Sequence, residues 1–197
     1  MARTLVASDN FNRADESPLS GGGNWATVTG FNNFRIVSNQ VTQVTEPSDT
    51  AARYSGVTWP DDQWSQVTIA DATLQNGGPA VRMNTSGTAS SYVFVVVASE
   101  YRIYRISSGS ATSIASAAGT FANGDVLYLE IQGTTLIAKK NGVQVLTVTD
   151  ATHSAGGAGI HGFSVSALDD WSAGDFLSSS PAPVGGLQAR VIRRIGA

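Results

Sequence analysis

The dipeptide Asn141-Gly142 constrains this chain more than any other feature. It stands between two strand-length runs, Thr135 to Lys139 and Val143 to Val148. Asn-Gly supplies the positive φ angles that a tight two-residue hairpin turn demands. The runs on either side must therefore pair antiparallel. Val126 to Ile131, just upstream, adds a third strand to the same meander. Downstream come a Gly-rich approach, Gly156 to Val165, and an acidic, aromatic closing segment, Asp169 to Phe176.

The rest of the chain repeats this strand-and-turn texture. Leu5 to Phe11, Trp25 to Val28 and Phe34 to Val44 read as strands, the last broken near Ser38-Asn39. Glu46 to Asp49 reads as a loop, and Trp59-Pro60-Asp61-Asp62 is a strong turn signal. Trp64 to Leu74 alternates as a half-buried strand should. Pro79 to Met83, Ser91 to Ala98 and Tyr101 to Ile106 follow. The run YVFVVVA is apolar on both faces, as in a central strand. In EYRIYRI, Tyr101, Ile103 and Arg105 share one face, and Arg102, Tyr104 and Ile106 the other. Ser107 to Ala118 is a weak strand between turns. This many short strands without helices predict an all-β fold: two packed antiparallel sheets in a jelly-roll β-sandwich.

Composition excludes several classes. Charged residues make up 14% of the chain and the net charge is -3, so the body gives no general basis for nucleic-acid binding. Cysteine is absent, which removes disulfides, Cys-based metal sites and Cys nucleophiles. No run is long enough to span a bilayer, so no membrane partner is expected. The first residues, MARTLVASDNF, lack the apolar core of a secretory signal. The expectation is synthesis in a cytoplasm, which a virion component would share. Three segments are read: a sandwich over 1–177, a Ser/Pro/Gly linker over 178–186 and a basic-apolar arm over 187–197.

Three passages carry a resemblance to a known family: DNFNRADESPLSGG with the following NW, GDVLYLEIQGTTLIAKKNG, and GGAGI with the later LDDW. Together they resemble the concanavalin A-like lectin/glucanase superfamily in its laminin-G-like branch, over Val6 to Phe176. A phage-encoded member is expected. The resemblance implies a sandwich whose chain ends lie on neighbouring strands, with Asp9-Asn10-Phe11 near Asp169-Asp170-Trp171. It also implies a structural calcium, with Asp9 and Asp170 in the ligand positions and Asp169 and Asp175 close by. The same fold hosts lectins, glycosidases, adhesion modules and virion proteins, so it does not choose among them.

Glycoside hydrolysis needs two placed carboxylates. The glucanases of the superfamily set them in an alternating Glu-x-Asp-x-Glu pattern on one strand. Glu46, Glu100 and Glu130 each lack an acidic neighbour at two-residue spacing, so no enzyme is expected. His153 and His161 lack zinc spacing and read as turn histidines. Ser154, His161 and Asp170 can be drawn as a triad, but there is no GxSxG elbow. Trp59, beside Pro60 in a loop, is the best exposed aromatic. With Tyr54 and Tyr104 it makes the candidate glycan platform, against the alternative of plain packing.

The arm LQARVIRRIGA interleaves Arg190, Arg193 and Arg194 with Val191, Ile192 and Ile195. This pattern is less polar than a solvated tail. It suits docking on a capsid or tail protein or on a second copy of the chain. The leading expectation is therefore a non-enzymatic structural protein of a phage particle, with the body outward and the arm docked. A lectin-like carbohydrate-binding module is the alternative, and a glycan-active hydrolase is the third reading.

Overall fold

The computed structural model describes residues 2–45, 49–74, 76–84, 86–163 and 166–177. The strands among them are β1 (Arg3–Asp9), β2 (Trp25–Thr27), β3 (Phe34–Val37), β4 (Gln40–Gln43), β5 (Thr50–Tyr54), β6 (Gln63–Ile69), β7 (Gly77–Met83), β8 (Ser91–Val97), β9 (Glu100–Ser107), β10 (Ser110–Ala118), β11 (Val126–Gln132), β12 (Thr135–Lys140), β13 (Val143–Thr149), β14 (Gly157–Gly162) and β15 (Ala167–Phe176). They form two antiparallel sheets. The first has eight strands in the order β13-β12-β11-β6-β15-β4-β3, with β1 also paired to β15. The second has seven, in the order β10-β9-β8-β7-β14-β5-β2.

Hairpins drive this arrangement. Asn141 and Gly142 have φ 50 and 80 and place Lys140 opposite Val143. Three other links use the same geometry. Ser38-Asn39 (φ 52 and 64), Ala98-Ser99 (47 and 66) and Ser108-Gly109 (50 and 81) join β3 to β4, β8 to β9 and β9 to β10. Such angles are unfavourable for Ala and Ser, so the strand pairing on either side holds them there.

Alternation then builds the core. Val67, Ile69, Leu127, Leu129, Ile131 and Leu136 of the first sheet meet Val81, Tyr92, Phe94, Val96, Ile103 and Ile160 of the second. At one end an aromatic cluster closes the sandwich. Trp171 stacks on Tyr54 at 5.1 Å and meets Trp25 at 4.7 Å, and Phe11 lies beside Trp25. Asp9 is opposite Trp171 in the β1–β15 ladder, so the chain ends meet as the resemblance implies.

Several boundaries differ from the sequence reading. β6 ends at Ile69, because Asp71 caps a turn by accepting from the Thr73 amide at 2.8 Å. β1 begins at Arg3, where its partner Phe176 lies. The short strand β5 was not anticipated: TAARY lacks β-branched alternation, and pairing with β14 and β2 makes it a strand. The linker 178–186 and the arm with Arg190, Val191, Ile192, Arg193, Arg194 and Ile195 lie outside the described residues.

The outer face of the second sheet carries a further apolar cluster. Val28, Ala51, Ala80, Met83, Ala89, Val93, Val95 and Ile106 are buried there, with Phe31, Tyr104 and Phe163 packed on them. Two loop segments tie across this face. The Ala89 amide donates to the Thr29 carbonyl at 3.2 Å, and the Val28 amide to the Ala51 carbonyl at 3.2 Å. The apolarity of YVFVVVA on both faces therefore has two causes, the core on one side and this cover on the other.

Candidate functional site

The cover stops short of one end of the second sheet, and a cleft of 260 Å³ remains there. Its floor is β14. Ala158 and Ile160 point into the core, so Gly157 and Gly159 present bare backbone outward. A Cβ on Gly157 would lie 2.9 Å from Cδ1 of Trp59 and 3.0 Å from Cδ of Arg53. The indole and the arginine stem thus rest directly on the strand, in the space that a side chain would take.

Trp59 is half-buried and fixed. Its Nε1 donates to the Tyr54 carbonyl at 2.8 Å, and its ring meets Trp171 edge-on at 6.3 Å. Arg53 comes from β5, directly across from Gly159. Burial holds its pKa below the ordinary guanidinium value. Among the described residues no hydrogen bond or ion pair engages its side chain. Asp61 and Thr58 complete the polar lining. A half-exposed indole, an unpaired guanidinium and a carboxylate can together stack on and hydrogen-bond a polyhydroxylated ring.

The sequence matches no protein-family model and no curated protein. Solved structures do match. The carbohydrate-binding module CBM66 from Bacillus subtilis superposes with a TM-score of 0.65 at 15% identity, covering 77% of this chain and 96% of that one. The exoplasmic/lumenal domain of VIP36, in its Ca2+/Man3GlcNAc-bound form, gives 0.59 at 8%, covering 87% and 91%. A prokaryotic beta-1,3-1,4-glucanase (lichenase) from a mouse hindgut metagenome gives 0.56 at 9%, covering 86% and 98%.

The chain has the concanavalin A-like lectin/glucanase fold. At these identities the likeness extends to the fold and not to the site.

Of the three aromatic residues expected to form one platform, Trp59 lines the cleft. Tyr54 holds it from beneath as part of the aromatic cluster. Tyr104 lies elsewhere. It shares a cross-strand row with Val93, Ala80, Gly159 and Arg53, four strand spacings or about 19 Å from Arg53. Its hydroxyl accepts from Arg102 at 2.8 Å and its ring packs on Phe163, within the covered cluster.

Asp9 and Asp170 line a common 560 Å³ cavity on the outer face of the first sheet. A β-bulge in β15 between Asp169 and Ser172 turns Asp170 outward at φ 46. Burial, joined by the charges of Asp170 and Asp9, raises the Asp169 pKa. However, three donors already engage Asp9. It accepts from the Phe11 amide at 2.8 Å, Arg13 at 2.7 Å and Trp25 Nε1 at 2.8 Å. Arg13 also binds Glu16 at 2.8 Å, a carboxylate that the sequence reading passed over. Among the described residues no three His, Asp or Glu side chains gather closely enough to hold a metal ion. The residues present do not fit a calcium ion, because a guanidinium stands where the resemblance implies a cation.

The remaining carboxylates and histidines are scattered. Glu130 is on β11 of the first sheet and Glu100 on β9 of the second. His161 is buried on the outer face of the second sheet, away from Asp170 on the first. Among the described residues both its ring nitrogens lack partners, and burial pushes its pKa down to about 3. His153 bonds the Ile106 carbonyl at 2.7 Å. Arg53 is the residue that sequence reasoning missed. Nothing in TAARY marks it, since its significance comes from the glycines of β14 opposite.

Proposed function

We propose that this chain is a non-catalytic carbohydrate-binding module whose ligand seats in the Trp59 cleft. The observation that carries the proposal is Arg53, a half-buried guanidinium with no partner among the described residues, beside a half-exposed indole. A buried cation without a partner is costly unless a ligand or water satisfies it. Sugar hydroxyls accept from such a fork while the ring's C–H face lies on the indole. Among the described residues one carboxylate, Asp61, lines the cleft. Acid–base hydrolysis of a glycoside needs two, which supports binding without turnover. The reading as a phage-particle protein depends on residues 187–197, outside the described residues, and no observation on the described body favours it.

The test is calorimetric titration with neutral oligosaccharides selected on a glycan array. Trp59→Ala and Arg53→Ala are each expected to weaken binding by about tenfold or more while the melting curve shows the fold intact. Unchanged affinity in both variants rules the cleft out. Release of reducing sugar that disappears in Asp61→Asn, Glu100→Gln or Glu130→Gln would make the protein an enzyme.

A further inference from the structure

The outer face of the first sheet bears a second built site, independent of the Trp59 cleft. Strand β6 presents Trp64 and Gln66 outward, and β11 presents Tyr128 and Glu130. The Trp64 and Tyr128 rings stack at 5.8 Å and 24°. Arg3, from β1, lies over both, 5.5 Å from one centroid and 4.9 Å from the other. Lys139, from β12, sits 4.8 Å from the Tyr128 ring on its way to Glu130, which it meets at 3.0 Å. Glu130 also accepts from the Tyr128 hydroxyl at 2.6 Å. The charge of Lys139 is therefore matched by Glu130. Among the described residues no carboxylate matches Arg3.

The aromatic pair is not itself a sugar platform. Trp64 is 5% exposed and Tyr128 3%, and Arg3 covers them. Their role is to hold the guanidinium. The guanidinium also donates to the Tyr128 hydroxyl, and its remaining N–H groups can meet a planar anion. Arg3, Lys139 and Gln66 border a 400 Å³ cavity. Gln66 also borders the 560 Å³ cavity with Ser8, Asn10, Asp170 and Ser172. One end of the combined depression is thus cationic. The other end offers hydroxyls, amides, the exposed Asp170 and Asp9, whose charge Arg13 neutralises.

We infer that this depression binds an acidic saccharide, with a uronate carboxylate on Arg3, that ring's hydroxyls on Gln66, and the hydroxyls of a neighbouring neutral sugar on Ser172, Ser8 and Asp170. A simple polyanion suits the site poorly, because Asp170 repels a second negative charge but accepts from a hydroxyl. A neutral sugar leaves Arg3 unmatched. The geometry therefore selects a ligand with one carboxylate on a polyhydroxylated ring.

The test uses the full chain and an aldobiuronic acid, one uronate joined to one neutral hexose, in titration calorimetry, with its methyl ester and polyglutamate as parallel ligands. Binding is expected for the acid alone and should weaken as salt is raised. Arg3→Gln is expected to weaken it about tenfold. Gln66→Ala should weaken it as well, and Trp59→Ala should leave it unchanged. Arg3 is exposed, and melting curves check that its variant is folded. No binding of the acid, equal binding of polyglutamate or of the ester, or unchanged affinity in both Arg3→Gln and Gln66→Ala would each overturn the inference. Loss in Trp59→Ala with Arg3→Gln unaffected would assign acidic sugars to the other sheet and overturn it too.

Discussion

The two sheets of this sandwich turn very different outer faces to their surroundings. The second sheet's outer face is apolar and has been closed over. Val93, Val95 and Met83 are buried beneath Phe31, Phe163 and the cross-tied loops. The first sheet's outer face is open, with Gln66, Lys139, Arg3 and Asp170 reaching the surface. The difference shows that a sheet face in this fold is not a binding surface by default. A face packed with Ala, Val and Met needs a cover, and what is left for a ligand is the uncovered end, where glycines bare the strand. A face of amides and cations needs no loop cover, and only its Trp64–Tyr128 pair is shielded, by Arg3.

The largest expected effect contrasts one charge placed on each face. Val93→Asp puts an unpaired carboxylate under the cover and should cost at least about 3 kcal/mol. Gln144→Asp, exposed on β13 of the first sheet, should stay within about 0.5 kcal/mol. Denaturant unfolding of both variants checks this, and equal losses would mean that the faces are energetically alike. Next comes the cover itself. Phe31→Ala removes a half-buried ring that meets His161 edge-on at 4.7 Å, and about 1–3 kcal/mol of stability should go with it.

His161 gives the contrast a pH dependence. The folded state holds it neutral, with its pKa lowered by burial from 6.5 to about 3. The unfolded chain takes up the proton first. The stability that this contributes is complete above pH 6.5 and is lost as pH falls toward 3. His161→Leu should flatten that limb. His153, lowered by its own burial, leaves a residual slope of the same sign. A separate loss belongs to Asp150. Burial raises its pKa, but hydrogen bonds from Thr152, Tyr92 and Arg105 outweigh burial and hold it at about 2. That loss lies below pH 3.8 and should persist in the variant. Unfolding midpoints measured across this range would sink the assignment if the limb were unchanged in His161→Leu.

The smallest effect concerns the open face. Arg13 already neutralises Asp9 at 2.7 Å. A chelator should therefore leave the melting temperature where it is, and added calcium should not raise it. A chelator-induced fall reversed by calcium would restore the ion implied by the resemblance.

Much of the fold was legible in the residues. Asn141-Gly142, the alternation of Val126 to Ile131 and the two-faced apolarity of YVFVVVA all mark strands that the sandwich contains. The meeting of Asp9 with Trp171 was likewise expected from the resemblance. Less of the site could be read. Trp59 stood out through its turn, but Arg53 and Arg3 did not. An arginine in a strand carries no local sign of whether an acid will face it. Tyr54 and Tyr104 looked equivalent to Trp59 because composition does not reveal which side of a sheet is covered.

Local chemistry in the sequence determined that this chain is a β-sandwich with at least one tight hairpin, because turn residues and period-two alternation act within a few residues. Only the tertiary structure decided the rest. It forced Ala98-Ser99 into the left-handed region through the ladder on either side. It closed one outer face and left the other open. It also set two arginines, one on glycine and one on aromatic rings, without a carboxylate partner among the described residues. Those outcomes depend on which strands become neighbours, a long-range property that no short window of sequence contains.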